Sequence, residues 1–310
     1  QAPLKMKIQC SLIIPQAELE HGALSYVWGF SSKAVPINLD GFKIPVTQNL
    51  EYALRYPRRQ TQPRRIWVDA VCINQADLDE RSKQVSRMKN IYQQAFNVVI
   101  WLGEENEPRG VGEVFYTGRN CEAFMVLSKL LYRKWFTRVW VLQELAAASA
   151  AGVVCGNASI SWSVLEIAFE ALRDLFSECV YETLPMLAIP FRDFWIPIFG
   201  HADILKPQVA GQWRHAIAAG QQHALVYIVV NYIASSDVTD EQDKLYSIIG
   251  LIQGSTDLTD PLLTPDYCKS SSEVFVGLAR YLIEGTRCLS TFCAVDGIDD
   301  DLPSWVPSWT

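Results

Sequence analysis

Short, continuous apolar runs alternate along the first half of this chain with stretches of helical periodicity, and few folds accommodate that alternation. Gly22–Val27, Arg65–Ile73, Asn97–Leu102 and Gly152–Cys155 read as strands of the buried kind. Between the second and third, Asp79 or Ser82 opens a helix whose Val85, Met88, Ile91, Tyr92 and Ala95 form one apolar stripe. Helices are expected again from about Cys121 to Ala150. A strand that is apolar on both faces must be covered on both, so the pattern implies a parallel sheet between helical layers. A further strand is expected at Lys5–Ile14. Val35–Val46 carries Asp40-Gly41 between apolar runs, the chemistry of a tight hairpin turn, and Thr47 can cap a helix bearing Leu50, Ala53 and Leu54.

Glu104 to Gly118 is polar and glycine-bearing and reads as a surface loop. Beyond about Ser163 the character changes to helices joined by proline-rich connectors. Leu184–Pro207 is too apolar for a free linker, while Gln242–Leu251 and Ser272–Glu284 read as helices. The expected organisation is therefore an α/β core over residues 1–163 and a mainly helical extension over 164–310, packed on the core. With 310 residues and 49% hydrophobic content the chain can bury a substantial core.

A formal charge of −7 and a pI near 5.2 argue against general nucleic-acid binding, which leans on a positive field. The one basic concentration, Arg55, Arg58, Arg59, Arg64 and Arg65, is either a solvated loop or a phosphate holder. Eight cysteines lack any Cys-x-x-Cys pair or neighbouring histidine, which disfavours zinc. Their place in runs such as Val71-Cys72-Ile73 and Val153-Val154-Cys155 reads as reduced, buried thiols of a cytoplasmic protein. No run approaches the roughly 20 apolar residues of a membrane helix, and no secretory signal or glycine-rich phosphate loop occurs.

The segment Arg138-Val-Trp-Val-Leu-Gln-Glu-Leu145 carries the chemistry. Trp140 and Glu144 are i, i+4 partners on one helical face. Val139, Leu142, Leu145 and Ala146 can turn to a core and leave Trp140, Gln143 and Glu144 toward a cleft. In an open parallel sheet ligands bind beyond the carboxyl ends of the strands, which places Ser25, Tyr26, Trp28 and Gly29 after one strand and Asp69, Asn74 and Gln75 after another. Ser25 and Asp69 could bond ribose or phosphate, and Gly29 permits close backbone approach. Ser25, Asp69 and Asn74 could equally satisfy loop backbone groups. Glu144 could pair with Arg138 or Arg81 and only steady the helix.

Four blocks together resemble the fungal heterokaryon-incompatibility (HET) domain: Ala23-Leu-Ser-Tyr-Val-Trp-Gly29; Ile66-Trp-Val-Asp-Ala-Val-Cys-Ile-Asn-Gln75 with Glu80-Arg81 and Gln84-Val85; Ile91-Tyr92 through Val98-Val-Ile-Trp-Leu-Gly103; and Trp135-Phe-Thr-Arg-Val-Trp-Val-Leu-Gln-Glu144. Asp243-Lys-Leu-Tyr-Ser-Ile-Ile-Gly250 and Leu302-Pro-Ser-Trp-Val-Pro307 look like segments that follow the domain in such proteins. The family is similar in turn to the Toll/interleukin-1-receptor (TIR) fold, so the resemblance implies a TIR/flavodoxin-like parallel sheet flanked by helices, with an added β-hairpin. Trp140 to Leu145 looks like the TIR helix whose glutamate is catalytic in NAD cleavage. Val141 stands where that pattern usually has cysteine, and Arg138 where serine is common.

The resemblance implies a cell-death effector of fungal innate immunity that hydrolyses NAD on self-association. Glu144 would be catalytic and Ser25, Tyr26, Trp28, Gly29, Asp69, Asn74, Arg81 and Trp140 would bind substrate. NAD would be the substrate, with no cofactor or metal, and the partners would be a second copy and upstream recognition proteins of the NLR type or another. A non-catalytic signalling module is the alternative, and nucleic-acid cleavage or binding through the arginine cluster a third.

Overall fold

Val98, Val99, Ile100 and Trp101 follow one another without a polar residue and none is more than 2% exposed, so the strand that carries them must lie inside a covered sheet. The computed structural model describes residues 21–29, 34–57, 63–104, 130–131, 133–171, 236–252, 261–285 and 301–309. In it, strands β1 (Gly22–Tyr26), β4 (Ile66–Trp67), β5 (Asn97–Trp101), β6 (Ala151–Cys155) and β7 (Ala158–Ser161) form one sheet in the order β4-β1-β5-β6-β7. The first four run parallel, with Ser25 opposite Ile100 and Ile100 opposite Val153. β7 returns antiparallel along β6 as an exposed edge, a strand the apolar pattern did not announce because Ala158–Ser161 is exposed throughout.

Strands β2 (Ala34–Leu39) and β3 (Phe42–Thr47) form the expected separate hairpin. Asp40 and Gly41 both take positive φ, 51° and 91°, as a two-residue turn matched to strand twist requires. Thr47 caps α1 (Gln48–Arg55), its Oγ1 accepting from the Leu50 amide at 3.3 Å.

Period-2 alternation divides the sheet residues between two apolar clusters. Leu24, Val99 and Trp101 pack with Ile37 and Val46 of the hairpin and Leu50 and Ala53 of α1. Ala23, Val98, Ile100 and Val153 pack on the other face against α4 (Met88–Gln94) and α5 (Val141–Ala147), together with two helices from late in the chain, α7 (Asp243–Ile252) and α8 (Ser271–Arg280). Each fully buried Val, Ile or Leu contributes roughly 1.5–3 kcal/mol, so α7 and α8 share substantially in burying that face. Ser25 follows the alternation of Ala23 and so turns toward α4 and α5.

Three local expectations are corrected. The strand expected over Arg65–Ile73 stops at Trp67, and Asp69 instead opens the short helix α2 (Asp69–Cys72), its Oδ1 accepting from the Ala70 amide at 2.7 Å. Aspartate is unfavourable in a strand and favourable at the positive end of a helix. Cys72 is consequently exposed rather than buried; it, Cys155 and Cys268 are free thiols. The helix expected from Asp79 or Ser82 starts at Leu78, capped by Asp77, whose side chain accepts from the Glu80 amide at 3.0 Å. It is two helices, α3 (Leu78–Val85) and α4, divided at Ser86 and Arg87, where the Ser86 hydroxyl bonds back to the Ser82 carbonyl at 2.9 Å.

A 3-10 turn at Lys134–Thr137 precedes α5, and α6 spans 162–171. Helix α8 begins with a capping box between Ser270 and Glu273 and continues as a π-helical turn, Tyr281–Gly285. The strand expected at Lys5–Ile14, the loop from residue 105 onward and Leu184–Pro207 lie outside the described residues. Among the described residues no helix is long and apolar enough to cross a membrane, and no group of His, Cys, Asp and Glu could hold a metal ion.

Candidate active site

β1 lies between β4 and β5, where the strand order reverses, and a crevice opens at the carboxyl ends of the strands. A cleft of about 1290 Å³ occupies this position. Trp28 and Gly29 line it after β1, Asp69 after β4, and Gly103 and Glu104 after β5. Helix α1 supplies Asn49 and Tyr52, and the start of α5 supplies Arg138, Trp140 and Glu144. Residues 237–243, which lead into α7, close the remaining side.

Glu144 forms the floor. It is 3% exposed, and its carboxylate accepts a short hydrogen bond from Ser25 Oγ while Oε1 lies 3.7 Å from Arg138 Nη2. Ser25 in turn accepts from the Trp135 indole at 2.6 Å, so one hydroxyl joins a buried N–H to a buried carboxylate. The Tyr92 hydroxyl donates to the Leu24 carbonyl at 3.0 Å and lies against Glu144. Burial pushes the Glu144 carboxyl above the usual range, against the pull of Arg138 and Ser25, and the charge of Asp69 adds to the rise.

Asp69 is arranged similarly. Its Oδ2 accepts from the Trp28 indole at 2.7 Å, its side chain lies beside Tyr26, and burial raises its carboxyl in spite of Arg138. Arg138 pays the desolvation cost of a buried cation, which Glu144 and then Asp69 more than offset, so its guanidinium is held charged. One guanidinium thus stands between two carboxylates at the cleft floor. With both carboxylates ionised the floor carries a net negative charge, which favours a ligand group that is, or becomes, positive.

The candidate residues do not all reach the cleft. Trp28, Gly29, Asp69, Arg81, Trp140 and Glu144 line it, whereas Ser25 and Tyr26 lie beneath, 1% and 2% exposed, as supports of Glu144 and Asp69. Asn74 is not among the lining residues, although its neighbours Ile73 and Gln75 are; it is exposed, and its side chain accepts from the Ala76 amide at 3.2 Å, a loop-stabilising role. The expectation that Gln143 faces the cleft is corrected. It is 2% exposed and packs against Lys89 and Gly250, because its side of α5 is enclosed by α4 and α7. Trp140 is the N-cap of α5 rather than an interior residue, and the Glu144 amide donates to its carbonyl at 3.1 Å. Arg81 does not pair with Glu144; it lies 3.1 Å from Asp240 and 3.6 Å from Asp243.

Arg55 of the basic cluster pairs with Glu51, and Arg64 donates to the Pro57 carbonyl at 3.1 Å. Residues 58–62 of that cluster lie outside the described residues. Trp135, Tyr92 and Asp243 enter the site without having been singled out in the sequence. Trp135 and Asp243 each open a block noted there for other reasons, while nothing distinguishes Tyr92 from a core tyrosine on an apolar stripe.

A model of the family described as heterokaryon incompatibility protein (HET) matches residues 21–126. Over 364 aligned residues the chain is 27% identical to heterokaryon incompatibility protein 6, OR allele, of Neurospora crassa. That alignment covers 93% of this chain and 53% of the relative, so the chain spans about half the relative's length. No solved structure matches.

Proposed function

We propose that this chain, a member of the heterokaryon-incompatibility family through its domain at residues 21–126, is a cell-death effector that hydrolyses NAD at the nicotinamide–ribose bond. Glu144 at the floor of the cleft carries the reading. A buried carboxylate there can, in its ionised form, stabilise the positive charge that develops on ribose as nicotinamide departs. The C1′–nitrogen bond breaks and its electron pair leaves with neutral nicotinamide. A water oxygen bonds to C1′ and gives its proton to solvent, so no second carboxylate need act as acid. Trp28, Tyr52 and Trp140 offer aromatic surfaces for adenine or nicotinamide, and Asp69 is an acceptor for ribose hydroxyls. The cleft's volume exceeds the usual range for small-ligand sites and suits a dinucleotide.

The reading of the core as TIR-like is supported by the order of the four parallel strands, in which the first lies between the second and third, while the fifth strand returns antiparallel. Self-association in the cytoplasm, triggered by an upstream recognition protein, would switch the activity on. One observation favours the non-catalytic reading: Glu144 is almost enclosed and already bonded to Ser25 and Arg138, as a purely structural carboxylate would be. Incubating concentrated protein with NAD and following free nicotinamide separates the two. Nicotinamide release that rises steeply with protein concentration is expected, and no release at any concentration would favour the signalling module.

A further inference from the structure

Residues 237–243 form a cleft wall that belongs to the extension, and they are fastened to the core at both ends. At one end the Asp237 amide donates to the Thr137 carbonyl at 2.6 Å, and the Val139 amide donates to the Asp237 carbonyl at 3.3 Å. These bonds straddle Arg138 with a single parallel bridge. At the other end stands Asp243, 8% exposed, whose carboxylate accepts from the Tyr267 phenol and faces the Trp140 side chain across the cleft wall. Arg81 faces the same carboxylate at 3.6 Å, pairs with Asp240 at 3.1 Å, and lies over the Tyr267 ring at 3.6 Å from its centroid. Asp243 therefore gathers a tryptophan from the start of α5, an arginine from α3 and a tyrosine from the segment before α8.

We infer that Asp243 is a positioning residue of the cleft, holding the Trp140 indole and the Arg81 guanidinium in the wall beside Glu144, so that the extension completes the ligand site. A tryptophan ring has one N–H, and an acceptor there fixes the rotation of the whole ring. With Asp243 in place, Trp140 presents a set surface one helical turn from Glu144. Without it, the ring and Arg81 each gain alternative orientations, and the nucleotide meets a wall that must first be ordered. The inference rests on the cleft being the nucleotide site proposed above, but the link from Asp243 to Trp140 can be read without any nucleotide.

Burial pushes the Asp243 carboxyl up to about 6, against Tyr267, Trp140 and Arg81, which favour its charge, and with Asp240, which opposes it. The charged or titratable groups around it are thus Arg81 from α3, Asp240 from its own segment, Tyr246 one turn along α7 and Tyr267 from before α8. In the 15N-labelled full chain the Trp140 indole resonance, assigned by its loss in Trp140→Phe, should titrate with a midpoint near that value. Asp243→Asn should abolish the titration. Tyr267→Phe, which removes one donor to the charged form while keeping the carboxylate, should move the midpoint to higher pH and serves if Asp243→Asn does not fold.

On NAD, Asp243→Asn should raise KM at least roughly tenfold with kcat changed less than about threefold, and Asp243→Glu should recover part of the loss. A Trp140 resonance that ignores pH, or that titrates unchanged in Asp243→Asn, would overturn the inference. So would a folded Asp243→Asn with native KM. If the native chain releases no nicotinamide, the nucleotide reading fails, and the indole titration alone decides whether Asp243 positions Trp140.

Discussion

Ser25→Ala removes one oxygen that serves two buried partners. In the folded chain Ser25 Oγ accepts from Trp135 Nε1 at 2.6 Å and donates to Glu144, and Ser25, Trp135 and Glu144 are 1%, 1% and 3% exposed. A buried N–H left without an acceptor costs about 1–3 kcal/mol, and the loss of a hydrogen bond to a charged group about 1.5–3 kcal/mol more. The variant should therefore lose about 3–5 kcal/mol of stability, far more than an ordinary serine-to-alanine change. The loss should also depend on pH. Ser25 holds the Glu144 carboxyl down against the burial that raises it, so its removal lets that carboxyl rise further. The part of the deficit due to this bond is fully present where the native Glu144 is ionised. It narrows as pH falls through the raised carboxyl range, because a protonated Glu144 no longer needs the donor. Urea unfolding of both proteins at neutral pH and in mildly acidic buffer measures both effects. A loss below about 1 kcal/mol, or one of the same size at both pH values, would refute the linked Trp135–Ser25–Glu144 arrangement.

Arg138→Leu leaves Glu144 and Asp69 without the cation between them and should cost about 3–5 kcal/mol at neutral pH, with part of the loss recovered in acid; denaturant unfolding at two pH values checks it. Gly250→Ala would place a Cβ 2.8 Å from Gln143 Oε1 and 3.0 Å from Lys89 Cβ, forcing α7 away from α4 and α5. That strain should outweigh alanine's helical advantage and lower the thermal midpoint by about 2–4 °C. Asp243 binds its proton more tightly folded than unfolded, since burial raises it from 3.8 to about 6. It therefore opposes folding above about 6 by roughly 3 kcal/mol. The native chain should gain stability from this group as pH falls from neutral toward 4, and urea midpoints across that range should show a shallower slope in Asp243→Asn.

The sheet was legible because its strands are buried on both faces and apolar without interruption; Gly22–Val27, Asn97–Leu102 and Gly152–Cys155 each fall within a residue or so of an observed strand. The hairpin was equally plain, since Asp40-Gly41 can adopt the positive φ its turn demands. The second strand was overextended because Val71, Cys72 and Ile73 look like strand residues, while the helix-starting preference of Asp69 acts through one position only. Edge strand β7 left no trace, being four residues long and exposed on both faces. At the site, the proximity of Glu144 to the chain after β1 followed from topology and helical spacing. What stayed hidden was depth: sequence spacing does not tell that Ser25 and Tyr26 lie under the cleft while Trp28 lies in it. Nor can it show that Asp243, 99 residues beyond Glu144, faces Trp140. That contact depends on how α7 seats against α5, where the small residue Gly250 and the buried Gln143 meet.

The central claim is that Glu144 stabilises a developing ribosyl cation. Glu144→Gln keeps the size of the side chain and most of its hydrogen-bonding capacity, so Ser25 retains an acceptor while the negative charge is removed. Purified native and variant proteins, matched in concentration and shown by circular dichroism to be folded alike, are incubated with NAD while free nicotinamide is measured. The native chain should release nicotinamide, and Glu144→Gln should reduce kcat by at least roughly a hundredfold with little change in KM. A folded Glu144→Gln variant that releases nicotinamide at the native rate would contradict the account.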